Sequence, residues 1–244
     1  MNRTGAFRGK KHQLTLPVSV YLIEHPKGLI LIDTGWHTEN RKHQFRNLSF
    51  QWFDNKAELL EGKAVNEQLA SLGYKPEDID KVILSYLHCD HADGLRLVKD
   101  AKEILVSKEE FEAAKSDHLR YLPHEWKGVD LKTFNLEETG EGPHGRSYDV
   151  FGDGTVEFVW IPGHSKGLCA TIIKNKETKD FVLLASDVGY SAKNWEENLT
   201  PGVVVDRKEA QRSLGWLRDK IKDPHCVRVI ANHDPEVSEE IIEL

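Results

Sequence analysis

Apolar residues along the chain gather in short runs bounded by glycine, proline or polar clusters, with stretches of helical period between them. Val18 to Glu24 and Leu29 to Ile32, separated by His25-Pro26-Lys27-Gly28, predict a β-hairpin closed by a proline and glycine turn. Ala57 to Leu72 carries apolar residues at helical spacing and stops at Gly73, a C-cap signal, and Lys75-Pro76-Glu77-Asp78 begins a further short helix. Lys81-Val82-Ile83-Leu84-Ser85 predicts a buried strand and Ile104 to Val106 another, followed by a charged helix over Lys108 to Lys115. In the second half, strands are predicted over Val156 to Ile161, Cys169 to Lys174, Phe181 to Ala185 and Val227 to Ala231, with an amphipathic helix from Asp206 to Ile221. Two segments, Trp36 to Phe53 and Ser116 to Trp126, are rich in aromatic and polar residues without a period and predict long loops, which in a compact domain are often functional.

Each half thus supplies strands and helices, which predicts an α/β protein with a sheet-on-sheet core, helices outside, and one domain over residues 1–244. With 39% hydrophobic and 30% charged residues, a chain of 244 residues can bury a substantial core. The net charge of −7 and the absence of a dense basic run argue against a nucleic-acid partner. The short patch Arg8-Gly9-Lys10-Lys11 does not alter that. No apolar segment approaches the ~20 residues that span a bilayer. The amino terminus is polar, without the apolar core of a signal peptide, so a cytoplasmic protein with no membrane partner is expected. Cys89, Cys169 and Cys226 match neither a zinc knuckle nor a disulfide framework and are expected as reduced thiols, the last two in the core.

The chemistry concentrates at strand ends. Tyr86-Leu87-His88-Cys89-Asp90-His91 places two imidazoles and a carboxylate where a strand finishes, the edge at which α/β proteins usually bind ligands. His164 follows Pro162-Gly163, Asp187 follows Ser186, and His233 follows Asn232, each just beyond an apolar run. Singly these are more often capping or core polar residues. Together they form a set of imidazoles and carboxylates of the kind that holds Zn²⁺, Fe²⁺ or Mn²⁺ for hydrolysis, whereas a structural zinc favours cysteine. Cys89 sits among these residues and could join them, or could point away from His88 and Asp90 if the strand continued. Trp36, Phe50, Trp52 and Phe53 could wall an acyl chain or tuck their loop onto the core. His118, His124 and His144 lie in the middle loops, within reach of a substrate or simply solvated.

The succession Asp33-Thr34-Gly35, His88-x-Asp90-His91, Gly163-His164, Ser186-Asp187 and His233 resembles the metallo-β-lactamase superfamily over nearly the whole chain. Gly73-Tyr74-Lys75-Pro76-Glu77-Asp78-Ile79, Asp187-x-x-Tyr190 and the Arg212-Ser213-Leu214 helix resemble, within it, the N-acyl homoserine lactonases. The resemblance implies an αβ/βα sandwich, two packed mixed sheets with helices on the outer faces. It further implies a metal-dependent hydrolase that opens a lactone or related ester with a metal-activated water as nucleophile. One or two zinc ions are implied, with iron or manganese possible. One ion would lie at His88 and His164 together with position 86, a second at Asp90, His91 and His233, and Asp187 would bridge them. Tyr190 would hydrogen-bond the substrate carbonyl or the oxyanion, Asp90 would give a proton to the leaving alkoxide, and Asp33 would serve near the metals without ligating.

Position 86 departs from that pattern, because tyrosine stands where the family has a histidine. A phenol with a free pKa of about 10 ligates only if the metal lowers it substantially. A weakened or vacant first position, with one ion at Asp90, His91 and His233, is therefore expected. The alternatives are a ligand-binding member of the fold with little or no catalysis, and a hydrolase of another ester or thioester.

Overall fold

The computed structural model describes residues 15–244, so the basic patch Arg8-Gly9-Lys10-Lys11 lies outside the described residues. The chain divides into two compact units, Val18–Phe134 and Asn135–Leu244, the second including residues 15–17.

The first unit is built on a five-stranded sheet in the order β1 (Tyr21–His25), β2 (Gly28–Ile32), β3 (Lys81–Leu84), β4 (Ile104–Ser107), β5 (Leu131–Phe134). β1 and β2 form the expected antiparallel hairpin, and β2 to β5 are parallel. Parallel strands are covered on both faces and so read as continuous apolar runs. Val82, Ile83 and Leu84 accordingly have no exposed surface. Around this sheet lie α1 (Gln44–Leu48), α2 (Val65–Ser71), α3 (Cys89–Ala92) and α4 (Lys108–Ala114). The apolar faces of α2 and β3 meet in one core with Leu31, Ile79, Leu87, Leu95 and Val106.

Three expectations are corrected here. The helix foreseen over 57–72 is only α2, because Ala64 is extended (φ −72°, ψ 151°) and the Glu67 side chain accepts the Ala64 N–H at 3.0 Å to start the helix there. The Trp36–Phe53 segment is not a loop but a 3₁₀ turn at Thr38–Arg41, then α1, then a second turn at Ser49–Phe53. Each is too short for a periodic signal to develop. Strand β3 ends at Leu84, and the chain is helical from Cys89, so strand alternation does not govern the Cys89 side chain.

The second unit holds a six-stranded sheet in the order β11 (Cys226–Ala231), β10 (Phe181–Ser186), β9 (Cys169–Lys174), β8 (Val156–Trp160), β7 (Arg146–Asp149), β6 (Glu137–Glu138). All neighbours are antiparallel except β10 and β11. Two helices accompany it, α5 (Ala192–Glu196) and α6 (Arg207–Lys220). Asp206 caps α6 by accepting the N–H groups of Lys208 and Glu209 at 2.8 and 3.1 Å, and Ala210, Leu214 and Leu217 bury its apolar stripe. Both sheets are mixed and accompanied by helices, as the resemblance implied. Among the described residues no helix is long and apolar enough to cross a membrane. Cys89 and Cys169 are buried free thiols, and Cys226 is half-buried rather than in the core.

One ion pair ties the first 3₁₀ turn to α2. The Arg41 guanidinium grips both oxygens of Glu67 at 2.7 and 2.6 Å and, against the opposing effect of burial, holds its carboxyl at about 2, below the ordinary 4.5. A depressed folded-state value means that this stabilisation is complete above the unfolded-state value and fades as pH falls through the folded one. Urea denaturation of the parent and of Glu67→Gln should therefore show a stability gap on the order of 1 kcal/mol at neutral pH. That gap should shrink between pH 4.5 and about 2, and a gap independent of pH would contradict the assignment.

Candidate functional site

In the first unit, parallel pairing sets the geometry. β2 lies beside β3 with Ile32 opposite Ile83, so Asp33 and the residues after Leu84 leave the same sheet edge. Asp33 holds φ +59°, a region that L residues seldom occupy. Its carboxylate accepts from the Ser85 backbone N–H, the Ser85 hydroxyl and His91 Nδ1, each at 2.7 Å. The Thr34 N–H and hydroxyl both donate to the His91 carbonyl at 2.8 Å. A Cβ at Gly94 would lie 2.2 Å from the Thr34 carbonyl oxygen, so only glycine allows this approach. With Nδ1 engaged by a carboxylate, Nε2 is the nitrogen through which His91 could hold a metal.

His88 is extended and caps α3, its carbonyl accepting the N–H groups of His91 and Ala92 at 3.0 Å. The buried Tyr86 ring lies 4.7 Å from the His88 ring and 4.3 Å from the His91 ring, between centroids, so both imidazoles pack on one phenol. Asp90 is buried on the same helical turn. Cys89 instead sits in an apolar cluster with Leu48, Leu122, Trp36 and Trp52. Burial first, then the charges of Asp90, Glu125 and Asp93, push its thiol up, which suits a packing role.

The carboxylate of Asp93 anchors the aromatic segment to this turn. It accepts from the His37 N–H at 2.9 Å and from the side-chain amides of Asn40 and Asn47 at 2.6 and 2.8 Å. Trp36 and Trp52 pack against the Cys89 cluster, whereas Phe45 and Phe53 are 59% and 68% exposed and meet each other and Trp52 edge to face. Of the two roles foreseen for the segment, the indoles take the second and tuck it onto the core, while Phe45, Phe50 and Phe53 face outward. Glu125 is fully buried nearby, and burial, reinforced by Asp93 and Asp90, pushes its carboxyl well up.

In the second unit, β9 lies antiparallel between β8 and β10, so those two run the same way, and β11 runs parallel to β10. Their carboxyl ends deliver His164, Asp187 and His233 to one edge of the sheet. All three are buried. His164 Nδ1 bonds the Val203 carbonyl and His233 Nδ1 the Pro17 carbonyl, both at 2.7 Å. Each ring then turns Nε2 to a different oxygen of Asp187, at 3.5 Å for His164 and 3.2 Å for His233. Ser186 takes φ +46° to turn Asp187 off the strand. Gly163 permits the His164 turn to seat on α6, since a Cβ there would lie 2.2 Å from the Ala210 nitrogen. The buried Tyr190 ring stands nearly edge-on to His164 and His233, at 5.9 and 5.2 Å, and Asn194 Oδ1 accepts its backbone N–H at 3.0 Å.

The predicted donors thus fall into two groups. His88, Asp90 and His91 come together with Tyr86 in the first unit, and His164, Asp187 and His233 with Tyr190 in the second. Of the other histidines, His118 is exposed, His124 lies on the 3₁₀ turn Pro123–Trp126, and His144 is taken up by Glu209 at 2.5 Å. Ser85, Asp93 and Asn194 escaped the sequence reading. Only Asp93, two residues after His91, carried a positional hint.

The donor chemistry fits a divalent cation. Three imidazoles have the nitrogen away from the candidate metal tied to a carboxylate or a carbonyl, the arrangement that fixes tautomer and ring orientation around metal ligands.

Comparison with known proteins points the same way. A family model described as the metallo-beta-lactamase superfamily matches residues 14–232. The chain is 28% identical to the N-acyl homoserine lactonase AttM of Agrobacterium fabrum, over 94% of this chain and 86% of that protein. It is 31% identical to an N-acyl homoserine lactonase of Bacillus cereus, over 91% and 83%. A solved N-acyl homoserine lactone hydrolase, with the product N-hexanoyl-L-homoserine bound at its catalytic metal center, superposes with a TM-score of 0.78 at 26% identity. That match covers 97% of this chain and 89% of that one.

Removing the carboxylate that orients His91 tests this picture. Asp33→Ala should weaken zinc binding by roughly 10- to 100-fold in a chelator competition titration. Affinity within twofold of the parent would contradict the orienting role of Asp33.

Proposed function

The chain belongs to the metallo-beta-lactamase superfamily, and on that premise we propose that it is a metal-dependent hydrolase that opens lactone rings, with N-acyl homoserine lactones as its substrate class. The observation that carries the reading is the pair of strand-end donor groups, with the far nitrogens of His91, His164 and His233 already anchored. Relatives named as lactonases supply the substrate class. We take residues 1–244 as a single hydrolase domain. We place it in the cytoplasm, consistent with three cysteines kept as free thiols.

His88, Asp90, His91, His164, Asp187 and His233 would hold the metal, with zinc the cation best matched to this set of imidazoles and carboxylates. When bound, such a cation supplies a water activated near neutral pH and polarises the substrate carbonyl. The chain's own groups do the rest. Tyr190, wedged between two imidazoles, donates its hydroxyl hydrogen bond to the ring carbonyl and to the oxyanion that forms when water adds. Asp90 takes up the proton that the attacking water gives up and, as the ring C–O bond breaks, passes it to the departing alkoxide, leaving an open-chain hydroxy acid.

Tyr86 sets the metal count. Its ring fills the space against both His88 and His91, so the position at His88 and His164 lacks the imidazole that the family supplies. Asp90, His91 and His233 would hold one ion, and the position at His88 would be weak.

Zinc-loaded protein should hydrolyse N-hexanoyl homoserine lactone, followed by titration of the acid released. No turnover across a panel of lactones and esters would overturn the substrate assignment. After dialysis, elemental analysis should find one zinc per chain in the parent and two in Tyr86→His, with a higher lactonase rate in the variant. Two zinc ions in both proteins would show that Tyr86 or a water already completes the weak position.

A further inference from the structure

We propose that Glu110 and Tyr121 are positioning residues for the donor loop, a brace that sets where His88 and the first turn of α3 stand. The proposal rests on the reading that Asp90 and His91 bind metal.

Leu87 lies between the end of β3 and the start of α3, where its backbone N–H has no strand neighbour in register. A buried N–H left without an acceptor costs about 1–3 kcal/mol. Glu110 supplies the acceptor: its carboxylate takes the Leu87 N–H at 3.1 Å, and the side chain has no exposed surface. The register explains how it arrives there. β4 runs parallel to β3 with Val106 opposite Leu84, so Ser107 and the start of α4 emerge beside Ser85 to Leu87. Ser107 caps α4 by accepting the Glu110 N–H at 3.2 Å, which fixes the residue that carries the carboxylate.

Tyr121 closes the brace from the other side. It is buried, its hydroxyl hydrogen-bonds Glu110, and its ring lies 5.6 Å from that of His88. Burial first, and then the Glu110 charge, push its phenol well above the usual range, so the hydroxyl stays a donor to that carboxylate. One carboxylate thereby couples a backbone N–H of the donor loop to a ring that backs one of its imidazoles. Because the His88 carbonyl accepts the N–H groups of His91 and Ala92, holding Leu87 and His88 also fixes the helical turn carrying Asp90 and His91. The far end of that turn is held separately, by Thr34 on the His91 carbonyl and Asp33 on its ring. The donor loop is clamped at both ends, and Glu110 is the clamp before the ligands.

Cobalt(II) serves as the probe, since its visible absorption reports ligand geometry and its titration reports affinity. Glu110→Ala should weaken cobalt binding about 10-fold or more, alter the visible bands, and lower kcat while KM for N-hexanoyl homoserine lactone stays within twofold. Glu110→Gln, which keeps an acceptor for the Leu87 N–H, should recover most of the affinity and the parent spectrum. Tyr121→Phe, which keeps the ring and loses the hydroxyl, should shift both in the direction of Glu110→Ala by a smaller amount, and carries the test if Glu110→Ala does not fold. His91→Ala separates this proposal from the reading beneath it. If His91→Ala abolishes tight cobalt binding while Glu110→Ala and Tyr121→Phe keep the parent spectrum and affinity and lose only thermal stability, the brace is overturned and the metal site stands. If His91→Ala itself binds cobalt as the parent does, the metal reading fails and the brace with it.

Discussion

An imidazole buried at the end of a strand, if it is to hold a metal, must do two things at once. One ring nitrogen faces the ligand position, and the other must find an acceptor without water. His91 uses the Asp33 carboxylate, His164 the Val203 carbonyl and His233 the Pro17 carbonyl. Much of the local structure follows from these three bonds. Asp33 adopts a left-handed backbone to reach His91, and Gly94 has no side chain because Thr34 must approach the same turn. Residues 15–17 reach His233 within the second unit, so a segment far away in sequence completes the environment of the last histidine.

Electrostatics separates the groups that do chemistry from those that only pack. Cys89 and Glu125 are both buried near Asp90 and Asp93, and both are pushed toward their neutral forms by burial and by those carboxylates. A neutral thiol packs as a small apolar group, which explains a cysteine that stands in sequence between imidazoles and a carboxylate yet belongs to a cluster of tryptophan and leucine. Asp93 accepts the amides of Asn40 and Asn47 and the His37 N–H, and so anchors the aromatic segment.

The strands that carry the donors were legible because buried strands read as apolar runs: Val82 to Leu84 and Phe181 to Ala185 are unbroken, and Val227 to Ala231, an edge strand with Val227 and Arg228 exposed, is interrupted only by that arginine. Histidine and aspartate just beyond such runs were visible for the same reason. The helical turns at 38–53 span too few residues to establish a period, and the two-residue edge strand β6 and its neighbour β7 are short and mostly polar. Backbone acceptors such as Pro17 and Val203 have no signature in side-chain chemistry, so the orientation of His164 and His233 could be learned only from the fold. Tyr86 was legible as a departure, but its packing against both imidazoles was not.

X-ray absorption at the zinc edge of the loaded protein tests imidazole and carboxylate ligation, with the cysteines left out, most directly. The spectrum should show a nitrogen and oxygen shell at about 2.0–2.2 Å with the outer scattering of several imidazoles. A sulfur shell at about 2.3 Å, or a shell without imidazole scattering, would contradict it.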